Sequence, residues 1–387
     1  MSRYHRQTLL PQIGEAGQRR LDESTVLLVG CGALGTVIAE QLVRGGVGTL
    51  RICDRDVVET TNLQRQTLFD EADAAAGAPK AIAAAERLRR INSTVRVEPH
   101  VVDVHSRNVE ALISAEAKTG TQSVFRGEKT GTESVFPNEP EQPGGARLSD
   151  SSRAKTDCVP VFRADVVLDG TDNAEVRYLL NDAAVKLGVP WVYGGCVGVG
   201  GRVMAVVPGR SPCLRCLFPE PPGAGELETC DTAGVLAPAA AIVASLQVVA
   251  AIKILLNHDV PDELFTIDTW QGRVQSVSTR GGRRDDCPTC GRRQFEFLDR
   301  AASGTTSLCG RDAVQVLPPM GKGAIDRDRI ASRLASAGVV ESTPHLVRCT
   351  LRDSGLALTV FPDGRAIVKG TTDSAVARSV YARFVGA

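Results

Sequence analysis

Neither sign of charge prevails in this chain: 45 Lys and Arg stand against 45 Asp and Glu across 387 residues. Without a global positive field there is no general attraction for nucleic acid, although one local basic patch could still guide an acidic partner surface. The opening MSRYHRQ is polar and no apolar run follows it, so no secretory leader is expected and the cytoplasm is the default location. A disulfide framework is missing too. The eleven cysteines are odd in number and several stand in close pairs, which fits a reducing compartment and metal or thiol chemistry. One stretch, residues 236–256, is apolar enough to raise the question of a membrane span. Pro238, Ser245, Gln247 and Lys253 interrupt it, so the expectation is a helix buried against a sheet or a second subunit, with no membrane partner.

What the chain does have is concentrated between residues 26 and 66. An apolar run, VLLV, enters a glycine loop (Gly30, Gly32, Gly35) that opens a helix, and Asp54 ends the next apolar run. One glycine makes the tight turn, one lets phosphate approach the backbone, and one lets helix pack on strand. The helix N-terminus meanwhile offers unpaired N–H groups to anions. Asp54 would accept hydrogen bonds from ribose hydroxyls. A glycine loop alone also joins strands to helices where nothing binds. The groups that follow it here, Asp56, Asn62, Arg65, Gln66 and, in GAPK, Lys80, suit charge on a triphosphate better than hydride transfer.

Apolar runs alternate with helical patterns at residues 50–53, 95–104, 165–169 and 190–193, which implies a parallel sheet covered by helices. After Gly194 come strand-like pieces at 201–207, 264–269 and 273–278, as an antiparallel extension would show. The expected fold is α/β, with a Rossmann-like mixed sheet whose parallel half binds nucleotide and whose antiparallel extension carries the substrate platform.

Four motifs in order, RYHRQ (3–7), GCGALG (30–35), DRDVVETTNLQRQ (54–66) and DGTDN (169–173), together with two CxxC pairs, resemble the ThiF/MoeB/HesA family, bacterial relatives of ubiquitin-activating enzymes. The resemblance runs from Arg3 to about Gln294. It implies a nucleotide site formed by Gly30, Gly32, Ala33, Gly35, Asp54, Asp56, Thr61, Asn62, Leu63, Gln64, Arg65, Gln66, Lys80, Asp172 and Asn173. Within it Asn62, Arg65, Gln66 and Lys80 would contact phosphates and Asp172 would hold or orient Mg2+. Asp169, nearer the strand end, reads as structural. Arg6, in the N-terminal arm, would reach the neighbouring subunit's triphosphate, which requires a homodimer; a salt bridge pinning the arm is the plainer role. The implied reaction is attack of a carboxylate on the α-phosphorus of ATP, and the implied partner is a ubiquitin-like sulfur carrier of the ThiS or MoaD type ending in Gly-Gly, on the way to thiamine or molybdopterin. Adenylation of a small molecule or a tRNA base, NAD-dependent oxidoreduction, and a noncatalytic carrier-binding scaffold are the rival readings.

Cys213 and Cys216 follow Pro212, and Cys287 and Cys290 precede Gly291; two CxxC knuckles can offer four thiolates to one structural Zn2+, against the alternative of redox dithiols. Cys230, ahead of the apolar helix, is the candidate reactive thiol, and the resemblance allows it a covalent bond to the activated carrier. Cys31, Cys53 and Cys196 lie in apolar or glycine-rich runs and read as packed. His5 is the sole histidine near a motif, so no histidine acid or base stands out.

The adenylation domain is expected over residues 1–300. It is interrupted at 118–160 by a polar insertion in which KTGTQSVF recurs as KTGTESVF and which reads as disordered. Residues 305–387 read as a small α+β unit with strands at 313–317, 346–350, 357–361 and 366–368 and helices at 327–337 and 373–384. It lacks the persulfide-cysteine loop of a rhodanese domain, so a separate sulfur donor protein is implied. Its own role is open between recruiting carrier or donor and supporting a dimer.

Overall fold

A computed structural model of the chain describes residues 2–114, 163–222, 230–300, 305–308, 312–318 and 325–386. The internal repeat lies outside them. Eight strands make the first sheet: β1 (Thr25–Val29), β2 (Thr49–Cys53), β3 (Arg96–His100), β4 (Val166–Asp169), β5 (Trp191–Val197), β6 (Gly200–Val206), β7 (Glu263–Asp268) and β8 (Arg273–Ser278). Their spatial order is β3-β2-β1-β4-β5-β6-β7-β8. The first five run parallel and the last three antiparallel. Both halves of the sheet therefore match the expectation from the sequence. β1 is buried at every residue, as a central parallel strand covered on both faces must be.

β3 is shorter than its apolar run. It is the edge strand, carries Pro99, and stops at His100, so residues 101–104 leave the sheet and are free to cross the strand ends.

The helix Ala237–Leu255 is long and apolar enough to cross a bilayer, yet one face of it packs on the sheet. Ala240, Val243, Ala244, Gln247, Val248 and Ala251 are buried at helical spacing. Gln247 is fully buried, and its Nε2 donates to the carbonyls of Asp169 (2.8 Å) and Val192 (3.3 Å). Gly194 makes room for it, since a Cβ there would collide with the Gln247 amide. The far face leaves Ile242 and Val249 exposed.

The second sheet comprises β9 (Thr305–Leu308), β10 (Ala313–Val316), β11 (Gly338–Ser342), β12 (Val347–Leu351), β13 (Ala357–Val360) and β14 (Ala366–Lys369), ordered β11-β12-β13-β14-β10-β9. Every neighbouring pair is antiparallel. Helices Arg327–Ala335 and Ser374–Phe384 pack on it around Val314, Leu334, Leu358 and Tyr381. β9 and β11 are additions to the strands legible in the sequence. β11 follows its helix after a short turn and alternates little, with Val339 70% exposed.

Candidate active site

Chain order reverses between β1, which leads outward to β2, and β4, which leads to β5. Such a switch opens a crevice at the carboxyl ends of the strands. The two loops meeting there touch backbone to backbone. Gly30 has φ +88°, and a Cβ on it would lie 2.7 Å from the Gly170 carbonyl carbon. A Cβ on Gly35 would strike the Gly30 carbonyl oxygen, so this glycine lets the helix Ala33–Gly45 sit close to its strand. Gly32 has no such neighbour within 3.4 Å and leaves the loop open to a ligand. The first N–H groups of that helix point at the opening.

The crevice holds a cavity of about 110 Å3 between these loops. Gly30, Gly32, Ala33, Asp54, Asp56, Arg65, Gln66, Lys80, Asp172, Asn173 and Cys230 all line it. Lys80 is only 3% exposed, and its Nζ lies 3.4 Å from Asp56 Oδ2. Arg65 Nη1 donates to the Thr61 carbonyl at 2.7 Å, which steadies the guanidinium at the rim. Gln66 is buried with its Oε1 unpaired among the described residues. Asp54 accepts from the N–H of Cys31 (2.6 Å) through Oδ2 and from that of Asp56 (2.7 Å) through Oδ1, so it fixes the glycine loop while keeping lone pairs for a ribose. Burial pushes its pKa up, against the lowering pull of Lys80 and the two backbone N–H groups.

Other residues named from the sequence stand off the wall. Asn62 is buried and closes a capping box with Glu59, holding the turn Thr60–Asn62 in shape. Thr61, Leu63 and Gln64 belong to that turn and its continuation, and Gly35 lies beneath the loop; none of them lines the crevice. Arg6 is exposed on the short helix His5–Thr8, whose Gln7 bonds the Gly45 carbonyl at 2.9 Å. This is the far end of the helix Ala33–Gly45, roughly 20 Å from the glycine loop at 1.5 Å per residue.

Asp169 is fully buried. It holds Thr171 (2.7 Å to its hydroxyl) and Arg177 (3.2 Å), and burial raises its pKa while Arg177 opposes the rise. It is a structural anchor for the loop that presents exposed Asp172. Asn173 caps the helix Ala174–Leu187 through Oδ1. Cys230 begins the short helix Cys230–Ala233 and donates its thiol to the Cys196 carbonyl at 3.3 Å. Cys196 and Cys53 also reach the crevice, with burial pushing each pKa up to about 12.

Two charged wall residues escaped the sequence reading: Arg55, immediately after Asp54, and Asp103, in the segment that leaves β3. Arg55 Nη1 lies 3.0 Å from Asp103 Oδ1. Their position just past strand ends was the available signal.

On the sheet face opposite the helix Ala237–Leu255 four cysteines converge. Sulfur separations are 3.6 Å (Cys213–Cys287), 3.9 Å (Cys213–Cys216) and 3.3 Å (Cys216–Cys290), and all four sulfurs lie within 4.8 Å of one another. A tetrahedral zinc with bonds of about 2.3 Å needs edges of about 3.8 Å, so the donor set fits. Asn181 and Asp182, both fully buried on the helix Ala174–Leu187, bond Leu214 N–H (2.9 Å) and the Thr289 hydroxyl (2.6 Å), fastening each knuckle to the helix that follows DGTDN.

A glycine loop at a strand switch, with cations lining the crevice, marks a nucleotide-binding α/β protein. The sequence pattern of the ThiF family matches residues 4–120 and 148–289, and the chain belongs to that family. It is 38% identical over 386 residues to the sulfur carrier protein ThiS adenylyltransferase of Bacillus subtilis, covering 99% of each chain. It is 34% identical over 311 residues to the sulfur carrier protein adenylyltransferase of Thermus thermophilus, covering 78% of this chain and 96% of that one. E. coli MccB solved with ATP shares the fold at TM-score 0.55 and 20% identity, over 75% of each chain.

Proposed function

We propose that this chain adenylates the C-terminal carboxylate of a ubiquitin-like sulfur carrier ending in Gly-Gly. The observation that carries the reading is the convergence of Arg65, Gln66 and Lys80 on a glycine loop at the strand switch. Membership of the ThiF family and whole-length similarity to a ThiS adenylyltransferase support a protein carboxylate as substrate, of the ThiS type ahead of the MoaD type. The carrier carboxylate oxygen bonds the α-phosphorus of ATP as the bond to the β-phosphate breaks, releasing pyrophosphate and leaving an acyl adenylate. Both reactants are anionic, so the protein's task is to cancel repulsion and hold the groups in line. The loop N–H groups, Lys80 and Arg65 bear on the phosphates, and Asp54 faces the ribose. Asp172, exposed beside the crevice, would hold Mg2+, which would add neutralisation of the triphosphate. Zn2+ at the four cysteines is structural. The acyl adenylate is then open to sulfur from a donor protein, and the enzyme acts as a cytoplasmic homodimer.

ATP–pyrophosphate exchange with ThiS-type and MoaD-type carriers tests this reading. Exchange is expected only with a Gly-Gly carrier present, and Arg65→Ala and Asp172→Ala should each reduce it by about a hundredfold or more. Carrier-independent exchange, or none with any carrier, sinks the proposal.

A further inference from the structure

The six-stranded unit reaches the crevice. Gln315, at the centre of β10 and fully buried, donates its Nε2 to Asp103 Oδ2 at 2.5 Å, and the other oxygen of that carboxylate lies 3.0 Å from Arg55 Nη1. A continuous chain of contacts thus runs from the C-terminal sheet to a cation on the crevice wall. Asp103 is pinned from behind as well, its own carbonyl accepting from Asn108 Nδ2 at 2.7 Å.

A second buried polar group belongs to the same unit. Arg365, on the turn between β13 and β14, is 1% exposed and lies over the Phe361 ring at 3.6 Å. Its Nε bonds Asp363 at 3.1 Å, while Nη1 and Nη2 have no partner among the described residues. Burial pulls its pKa down; Asp363, Asp103 and Asp56 resist that fall and Arg55 adds to it. Around the rim Lys369 of β14 stands 3.6 Å from Glu59, the residue that caps the turn before Arg65. An appendage serving only a dimer or a docking partner has no need to place an amide and a guanidinium behind the nucleotide wall.

We propose that the C-terminal unit is a working part of the nucleotide site, with Gln315 a positioning residue that orients Arg55, through Asp103, against the base of ATP. Arg55 follows the ribose carboxylate Asp54, and Val102 and Val104 flank Asp103 on the same wall. Arg55 is a planar cation beside these apolar side chains, an arrangement suited to the face of a purine. Its Nε also lies 3.8 Å from Asp56 Oδ1, and the other oxygen of that carboxylate faces Lys80 Nζ at 3.4 Å. The inference rests on the adenylation reading above and identifies what sets the affinity for its nucleotide.

The test is direct binding to the full-length protein with no carrier present, by calorimetry, using ATP and inorganic tripolyphosphate as separate ligands. Arg55→Ala should weaken ATP about tenfold. Gln315→Met, which keeps the volume and removes the amide, should weaken ATP several-fold to about tenfold. Neither should change tripolyphosphate, which has no base. The double variant should bind ATP no more weakly than Arg55→Ala alone, because Gln315 acts through Arg55. Gln315→Glu, which sets a carboxylate against Asp103, provides a second variant of native shape with the same expectation. The inference fails if folded Gln315 variants bind ATP as the native protein does, if ATP and tripolyphosphate weaken together, or if the two effects add in full. Native protein that binds no ATP at all overturns the adenylation reading instead.

Discussion

Gly30 and Gly170 occupy one another's side-chain space: a Cβ on Gly30 would meet the Gly170 carbonyl carbon at 2.7 Å, and one on Gly170 would meet the Gly30 carbonyl oxygen. The loops after β1 and β4 are therefore locked together at the point where strand order reverses, and the crevice exists because neither carries a side chain there.

Gly30→Ala should accordingly do two things. Its φ of +88° is strained for alanine and the methyl has no room, so the protein should lose about 2 kcal/mol or more of stability. The displaced loop should also abolish measurable ATP binding in whatever fraction stays folded. Thermal unfolding and ATP calorimetry measure the two effects separately, and native ATP affinity in the variant contradicts the geometry.

The parts of this design that were legible in the sequence are those with a local cause. A glycine with positive φ, an apolar run after a turn and an acid at a strand end write themselves into adjacent residues, so β1, β2, β4 and a place for Lys80 on the crevice wall could be read beforehand. The paired CxxC knuckles could be matched across 74 residues because a metal demands four donors. What stayed hidden depends on which surfaces meet. Asn62 reads like a ligand residue but spends its amide oxygen on Glu59 N–H at 3.1 Å. Asp103 looks like an ordinary loop acid until β10 is packed behind it. β11 is too irregular in its alternation to be read without its partner β12.

Loss of metal from the four-cysteine site should be felt at the crevice. Cys213→Ser should remove one equivalent of zinc, read by elemental analysis, and lower the unfolding temperature markedly. Because Asn181 and Asp182 tie both knuckles to the helix beginning after Asn173, exchange should fall with the metal rather than with direct chemistry at sulfur. Purified native protein with fewer than about half an equivalent of zinc, and no gain in stability on adding it, speaks against the site.

Cys230 lines the crevice with its thiol donating to the Cys196 carbonyl at 3.3 Å. Forming the acyl adenylate needs no thiol, so Cys230→Ala should leave carrier-dependent pyrophosphate exchange within about twofold of native, whatever it does to later sulfur transfer. A folded Cys230→Ala protein devoid of exchange would place the thiol in the first step and require a different mechanism.

Arg6 lies at the wrong end of the helix Ala33–Gly45 to serve its own crevice, so any role in catalysis must be exerted on a partner subunit. The exposed apolar face of the helix Ala237–Leu255, with Ile242 and Val249, offers a surface through which two copies could associate. Arg6→Ala and Arg65→Ala should each abolish most exchange when present throughout a homodimer. When the two inactive proteins are denatured, mixed in equal amounts and refolded, about half the dimers are hybrid. In a hybrid the subunit carrying Arg6→Ala keeps an intact Arg65 and receives Arg6 from its partner, so about a quarter of all sites should regain activity. If Arg6 merely pins its own arm, Arg6→Ala alone should cost little exchange; if it acted within its own subunit, both kinds of site in the hybrid would remain defective and mixing would restore nothing.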